Sequence, residues 1–353
     1  MARVPEAIQA YHETEHRLGS LPDGLNTQRI WLQWAKAWAY LLSEINGDHE
    51  SARKVFSDIR KRINLSDSES DADRLVILSG ETNVALNLGR YKEAKEISTE
   101  WLAVARSLKN HREEAVVWNA RGICSHSLGD LAEASQCYEQ AVKLGRLIGH
   151  RRIEVIGLYN LSLIYFDQSN LEKAEQCVNE YLSISRLTGN HLAECYGPYV
   201  LGNIALQRGE YDKADGLIEG TLQIAQEKGW PRLAEIGQQF QDLLKIQRGL
   251  SINTPDDIQT GVKGLAEQAQ VSEGFDGETY AVWAIGLAYL DERQAALQII
   301  QNGRNKIADG NPQDEQWLNL AESRCLGDSV QPAVDWFERH GFVRVVQFAR
   351  KLP

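Results

Sequence analysis

The chain has 353 residues, of which 43% are hydrophobic and 8% aromatic, so it can bury a large core in one elongated domain or in two compact ones. Its formal net charge of −11 argues against nucleic acid or an anionic membrane as the main partner, because both require a concentrated basic surface. No stretch approaches the roughly 20 apolar residues of a membrane span, and the N-terminus has no apolar signal core, so we expect a cytoplasmic protein.

Residues 4–23 have the pattern of the second helix of a helical hairpin, with no first helix before it. We expect either an N-terminal cap or the remnant of a larger protein that has lost an upstream domain. His12 and His16 lie in the sequence HETEH, which matches the helical pattern of zinc proteases. The third ligand of the extended pattern would fall at Pro22, which cannot bind metal, so we expect no metal site.

Three tryptophans, Trp31, Trp34 and Trp38, recur at positions i, i+3 and i+7 and therefore share one face of a predicted helix. We expect this stripe to pack under the N-terminal helix; the alternative is a surface for a partner or for a homodimer. The acidic sequence SDSESDAD at 66–73 is typical of a solvated loop.

A short turn sequence recurs along the chain at a period of forty residues. The copies are GRYKEA at 89–94, GDLAEA at 129–134, SNLEKA at 169–174 and GEYDKA at 209–214, with looser copies at 47–52 and 291–296. A fixed period of this length indicates a solenoid built from repeated supersecondary units.

Each repeat predicts two amphipathic helices joined by that turn, because apolar residues fall at helical spacing on both sides of it. Around Gly129 these residues are Val116, Ala120, Ile123 and Leu128 before the turn, and Leu131, Ala134, Tyr138, Ala141 and Leu144 after it. Gly149, Gly189 and Gly229 are expected to end successive second helices, as glycine does where a left-handed residue is needed. Two such helices cannot bury both apolar faces alone, so the pairs must stack into a superhelix with a concave inner surface.

The chain resembles the tetratricopeptide-repeat family, in the variety whose units are about forty residues long. The residues that carry the resemblance keep fixed positions relative to the turn: Gly122, Ser162 and Gly202; Leu161 and Leu201; Tyr91, Leu131, Leu171 and Tyr211. The resemblance implies an all-α, right-handed superhelical solenoid of antiparallel helix pairs. This variety occurs in kinesin light chains, polarity adaptors, bacterial peptide-pheromone receptors, and the sensor regions of bacterial signalling ATPases and transcription activators.

Beyond residue 250 the repeat gives way to turn-rich connectors, GLSINTPDDI, SEGFDGE and ADGNPQDE, between shorter helices. We therefore expect a regular solenoid over 1–250, with an incomplete first pair, and divergent helical pairs over 251–353. The final sequence, FERHGFVRVVQFARKLP, predicts a basic amphipathic helix that caps the last repeat or, as the alternative, docks to an acidic partner.

No chemical motif in the sequence supports an enzyme. The five cysteines include no Cys-x-x-Cys pair and are expected to be small apolar core residues; they are Cys124, Cys137, Cys177, Cys195 and Cys325. His111, His150 and His191 follow the ends of successive second helices and are expected to contact neighbouring turns rather than share a metal. There is no phosphate loop, nucleophile elbow or dinucleotide fingerprint, so we expect no catalytic residue, metal or cofactor.

The sequence therefore predicts a non-enzymatic interaction module that holds an extended peptide or partner helix in its concave groove. The alternative is a regulatory sensor, derived from a larger signalling ATPase or transcription activator, whose superhelix responds to a ligand or partner.

Four asparagines fall on the first helices of the pairs, which line the groove in this family: Asn83, Asn119, Asn160 and Asn203. A carboxamide offers both a donor and an acceptor, so it can pair with a peptide backbone of any sequence. Three aromatic residues are expected to supply apolar pockets: Tyr159, Tyr199 and Phe166. The alternative is that Leu163 and Phe166 belong to the core and the asparagines are only solvated. The lysines with which chaperone-binding relatives clamp a terminal carboxylate are missing.

Overall fold

The computed structural model describes residues 4–21, 25–45, 47–62, 71–189, 191–270, 275–307 and 311–352. Over these ranges the chain forms eighteen α-helices and one π-helical turn, with no β-strand. None of the described helices is both long enough and apolar enough to cross a membrane. The prediction of an all-α repeat solenoid is confirmed.

The chain divides into two compact units, Met1–Cys124 and Ser125–Pro353. The helices of the first unit are α1 (Val4–Gly19), α2 (Leu25–Tyr40, continued by a π turn at Leu41–Ile45), α3 (His49–Arg62), α4 (Asp71–Asn87), α5 (Tyr91–Ser107) and most of α6 (His111–Ser127). Of the predicted acidic loop, residues 66–70 lie outside the described residues, and 71–73 begin α4.

The second unit contains the remaining helices: α7 (Leu131–Leu147), α8 (Arg151–Asp167), α9 (Leu171–Thr188), α10 (His191–Gln207), α11 (Tyr211–Glu227), α12 (Pro231–Ile252), α13 (Pro255–Gln268), α14 (Gly277–Tyr289), α15 (Arg293–Lys306), α16 (Pro312–Leu326), α17 (Gln331–Arg339) and α18 (Val343–Lys351). Parts of the predicted connectors, 272–274 and 308–310, lie outside the described residues. The predicted division at residue 250 concerns the regularity of the repeats and stays a prediction.

Left-handed residues mark the turn between the first and second helix of each regular pair, at the predicted interval. The angle φ is +69° at Gly89, +86° at Gly129 and +77° at Gly209, whereas the fourth turn uses a serine, Ser169, at +55°. In all four turns the next N–H donates to a carbonyl oxygen five residues back, at 2.8 Å. This bond satisfies a carbonyl that the helix end would otherwise leave unpaired.

The second helices end in the same way. Gly149, Gly189 and Gly229 have φ between +65° and +67°, as predicted, and Lys109 takes the equivalent position at +51°. The looser copy of the turn sequence at 291–296 also contains a left-handed residue, since Asp291 has φ of +65°. The repeat therefore continues in backbone geometry beyond the part where its sequence is regular.

Alanine at the fifth position after each turn allows close helix packing. Ala94, Ala134, Ala174 and Ala214 are all 0% exposed. Glycine serves the same purpose inside α8, where a Cβ at Gly157 would lie 2.6 Å from Val142 Cγ2 of α7. Small residues at these positions explain why consecutive helices of the second unit approach closely.

The tryptophan stripe packs into the core of the first unit. Trp31, Trp34 and Trp38 are 6–9% exposed, and Trp38 stacks on Tyr11 of α1 with ring centroids 5.0 Å apart. Trp34 Nε1 donates to the Tyr11 carbonyl oxygen at 3.1 Å. The prediction that the stripe packs under the N-terminal helix is confirmed. His12 is exposed and contacts Glu15 at 3.7 Å.

Most cysteines lie in the core, as expected for small apolar residues. Cys124, Cys137 and Cys325 are buried, and Cys177 is half-buried. The side chains of Cys195 and His191 lie outside the described residues. Within the described part of the chain, no three His, Cys, Asp or Glu side chains are grouped so that they could hold a metal ion.

The C-terminal sequence forms two short helices, α17 and α18, joined by a turn at Gly341 with φ of +81°. Trp336 of α17 stacks on His340 at 4.0 Å, and its ring lies 2.8 Å from where a Cβ at Gly129 would be. The buried face of α18 consists of Val345, Val346 and Ala349. The predicted single basic helix is therefore a hairpin that packs back onto the regular repeats of the second unit.

Candidate functional site

A cleft of about 490 Å³ opens between the regular repeats of the second unit and α18. Its apolar walls are Phe166 of α8, Leu206 of α10, Tyr211 of α11 and Phe348 of α18. All of these side chains are half-buried, so each still offers surface to a ligand. A cleft of this size is within the range of small-ligand and peptide side-chain sites.

Helix α18 is held at the cleft by a largely buried ion triad, in which Glu278 is 24% exposed. The Arg344 guanidinium donates to Asp167 Oδ1 at 3.0 and 3.1 Å and to the Glu278 carboxylate at 2.6 and 2.8 Å. The Arg344 and Asp167 side chains are only 14% and 6% exposed. The guanidinium carbon also lies 4.9 Å from the centre of the Phe166 ring.

The protonation of the triad follows from burial and charge together. Burial opposes ionisation of Asp167, but Arg344 and His126 outweigh it and lower the pKa of this carboxyl. His126 Nε2 lies 3.0 Å from Asp167 Oδ2. Burial raises the pKa of Glu278, and the attraction of Arg344 only partly offsets that increase. Burial acts against the charge on Arg344 as well, yet the two carboxylates raise its pKa. The arginine is therefore positive throughout the physiological range.

Carboxamides form the polar part of the cleft. Gln207 Nε2 donates to Ser169 Oγ at 2.6 Å and to Gln347 Oε1 at 3.2 Å, and Ser169 Oγ donates to the same Gln347 oxygen at 3.2 Å. Gln207 Oε1 is buried and has no hydrogen-bond partner among the described residues. A buried unpaired oxygen of this kind is uncommon in native structures and lacks the partner that such groups normally have.

The cleft also explains why one repeat turn departs from glycine. Ser169 occupies the left-handed position that glycine takes at the three equivalent turns. Its hydroxyl connects Gln207 of α10 with Gln347 of α18. The conformational cost of a left-handed serine is thus accompanied by hydrogen bonds that glycine could not make.

Two of the seven predicted site residues, Phe166 and Asn203, line this cleft. Tyr159 and Asn160 are half-buried on α8, and burial, with a smaller effect of Tyr196, raises the pKa of Tyr159 to about 12. Tyr199 is 1% exposed and donates to the Leu233 carbonyl oxygen at 3.2 Å. Tyr199 therefore lies in the core and not on the ligand-facing surface where it was expected, because its helix presents that side to α12.

The remaining two predicted residues belong to the first unit. Asn83 is exposed and lines a separate cleft of about 540 Å³, together with Tyr11, Tyr40 and Phe56. Asn119 is half-buried on α6. The roles expected for Asn83 and Asn119 as peptide-binding residues stay predictions.

Several cleft residues were not predicted from the sequence. They are Gln207, Arg208, Tyr211, Gln247, Gln347, Phe348 and Lys351. Four of them belong to α18 or to the turn before α11, which a count along the first helices does not reach. Two local signals pointed to this part of the chain: the serine in place of a turn glycine at Ser169, and the basic C-terminal helix, for which docking to an acidic partner was the alternative role.

The chain contains tetratricopeptide repeats: models described as tetratricopeptide repeat match residues 73–146 and 157–186. No curated protein matches the sequence. Among solved structures, a Rap protein complexed with competence and sporulation factor is similar over 99% of this chain and 94% of its own, with 12% identity and a TM-score of 0.65.

Two further solved structures share the fold. NprR in complex with its cognate peptide NprX is 13% identical, with a TM-score of 0.61 over 96% of this chain and 94% of its own. Aspartyl phosphate phosphatase F from Bacillus subtilis is 15% identical, with a TM-score of 0.53 over 86% and 82%. At these identities the likeness concerns the fold, which does not by itself separate binding from catalysis.

Proposed function

We propose that this chain of tetratricopeptide repeats is a non-catalytic interaction module whose second unit binds an extended peptide segment in the cleft beside α18. The observation that carries the proposal is the set of carboxamides around it, above all the buried and unpaired Gln207 Oε1. Asn203 and Gln247 make no side-chain hydrogen bond among the described residues, so their donors and acceptors are also available. Such groups pair with backbone N–H and C=O of any peptide.

The apolar walls supply a hydrophobic contribution to the binding of the segment. Phe166, Leu206, Tyr211 and Phe348 leave room for a small number of apolar side chains in about 490 Å³. Burial of one Leu or Phe side chain stabilises a complex by roughly 1.5 to 3 kcal/mol. The similar solved structures that are named as complexes with a factor and with a cognate peptide support the idea that this architecture can hold a peptide.

A second candidate function, a ligand-responsive sensor, is favoured by the composition of the cleft wall. Gln347, Phe348 and Lys351 come from α18, whereas the opposite wall comes from the regular repeats. A ligand that contacts both walls would stabilise the docked position of α18, because it binds that arrangement better than any other. Binding and regulation would then use the same site.

The other expectations about partners also remain proposals. We propose that the chain works in the cytoplasm, without nucleic acid as a partner, and that any homodimer uses a surface other than the buried tryptophan stripe. Small-angle scattering across a concentration series would measure the oligomeric state.

The experiment is to probe an array of random dodecapeptides with the labelled protein and to measure the affinities of the best binders by calorimetry. The variant Asn203→Ala with Gln247→Ala removes two free carboxamides without removing an internal hydrogen bond. We expect it to weaken binding by roughly 1 to 3 kcal/mol, because peptide groups lose their partners. The control, Gln176→Ala with Asn179→Ala, makes matching changes at exposed positions of α9 and should leave the affinity unchanged. Equal affinity in a correctly folded cleft variant would move the site elsewhere.

A further inference from the structure

The described charged residues that line the cleft are all cations, although the whole chain is acidic. Three cations, Arg208, Arg344 and Lys351, line it, and no aspartate or glutamate is among its described lining residues. The chain as a whole carries a formal charge of −11. We infer that the segment bound in the cleft is acidic and that it places an anionic group, a carboxylate or a phosphate, beside Lys351. The inference rests on the proposed function and specifies its ligand.

The available cation can be identified by asking which of the three is already neutralised. Arg344 is bound by two carboxylates, Asp167 and Glu278. Arg208 contacts Glu175 at 2.8 Å and, more weakly, Glu172 at 3.7 Å. Lys351 is exposed and makes no ion pair within the described part of the chain. The lysine therefore supplies the uncompensated charge of the cleft.

Neutral donors strengthen this assignment. The Tyr211 hydroxyl makes no hydrogen bond with any described residue, and neither do the side-chain amides of Asn203 and Gln247. An anion accepts hydrogen bonds from such O–H and N–H groups, and charged acceptors form stronger bonds than neutral ones. An ammonium or guanidinium group in the ligand would instead meet Lys351 and Arg208 with no carboxylate in the cleft wall to receive it.

The carboxylates close to the cleft are already bound by its two arginines, so they leave Lys351 as the uncompensated charge among the lining residues. Asp167 and Glu278 accept their hydrogen bonds from Arg344. Glu172 is 78% exposed and belongs to the start of α9, where water and salt screen it. The site therefore selects by repulsion of basic segments as well as by attraction of acidic ones.

The test uses dodecapeptides with fixed apolar anchors, each made in three versions whose polar positions are Glu, Gln or Lys. All peptides are acetylated and amidated, so that side chains carry the only charges. We expect the Glu version to bind at least tenfold more tightly than the Gln version and the Lys version not to bind. The preference should weaken as NaCl is raised.

Variants assign the preference to the cleft. Lys351→Glu should abolish the advantage of the Glu peptides, whereas Lys143→Glu, the same charge change at an exposed position of α7, should preserve it. Free-carboxylate and phosphoserine versions of one peptide then distinguish a terminal carboxylate and a phosphate from an acidic side chain as the source of the anion.

The outcomes separate the two proposals. Peptides that bind in the cleft with equal affinity for Glu and Gln versions, or a Glu preference that survives Lys351→Glu, overturn the inference and leave the proposed function intact. If no peptide binds and hydrogen exchange of α10 and α18 is unaffected by any of them, the proposed function and the inference fall together.

Discussion

The regular repeats α7–α11 and the C-terminal helices α14–α18 are stabilised by different kinds of interaction. In the regular part, alanines pack helix against helix and the arginines of the ion pairs stay partly exposed, as where the half-exposed Arg146 contacts the buried Glu154 at 2.9 Å. In the C-terminal part, a buried arginine binds two carboxylates, one of them 177 residues away in sequence. The regular part therefore depends on many interchangeable neighbour contacts, whereas the position of α18 depends on a few specific ones.

The largest expected effect comes from removal of the buried arginine. Arg344→Met should lower the free energy of unfolding by about 3–5 kcal/mol at pH 7, because it leaves Asp167 and Glu278 buried without their cation. Arg146→Met is the matched change in the regular part. It should cost clearly less, because the buried Glu154 keeps a second cation, Arg151, at 2.8 Å. Urea unfolding and hydrogen exchange of α18 would measure both effects.

The pH dependence provides a further check on the arginine. The pKa of Asp167 is lowered in the folded state, so its stabilising pairing is complete above the unfolded value of 3.8 and is lost as the pH falls below it. The difference in the free energy of unfolding between Arg344→Met and the parent protein should therefore become smaller at acidic pH. Equal losses for the two methionine variants, at every pH, would contradict the contrast between the two regions.

A smaller effect is expected from a half-buried carboxyl group of the C-terminal part that pairs with no cation among the described residues. Burial, reinforced by Asp276, raises the pKa of Asp314 to about 7, even though Asp314 accepts a hydrogen bond from the Gly277 N–H at 3.0 Å. A raised folded pKa means that stability falls as the pH rises from about 4 to 7. Asp314→Asn should thus stabilise the protein by about 1–2 kcal/mol at pH 8 and have little effect at pH 4.

Thermal unfolding at the two pH values checks this expectation. The control is Asp256→Asn, an exposed aspartate at the start of α13. A gain at pH 4 as large as that at pH 8 would show that the effect does not come from ionisation of Asp314.

The contrast between the regions also explains how much of the molecule could be predicted from its sequence. The turns at Gly89, Gly129 and Gly209 and the helices between them follow from local periodicity, and the structure has them where the pattern predicts them. The contact of Arg344 with Asp167 has no local signal, because it depends on how the whole C-terminal part returns to α8. The expected surface position of Tyr199 failed for the same reason: which side of α10 is covered depends on α12, not on α10 itself.

The smallest expected effect concerns Ser169, where the two regions meet. Ser169 and Asp291 both occupy the left-handed position of a turn between paired helices, with φ of +55° and +65°. Glycine at such a position should stabilise the protein by about 0.5–1 kcal/mol through relief of backbone strain. Asp291→Gly should show that gain, because its side chain is exposed and makes no hydrogen bond within the described part of the chain.

Ser169→Gly should show little or no gain, since it also loses the hydroxyl that bonds Gln207 and Gln347, a loss of about 0.5–1.5 kcal/mol. The difference between the two glycine variants in urea unfolding measures what that hydroxyl contributes to holding α18 against the regular repeats. Faster hydrogen exchange confined to α18 in Ser169→Gly is the accompanying signature, and it should be missing in Asp291→Gly. If both variants gain equally and α18 exchanges as before, the serine is an incidental departure from glycine, and α18 is held by Arg344 and its apolar face alone.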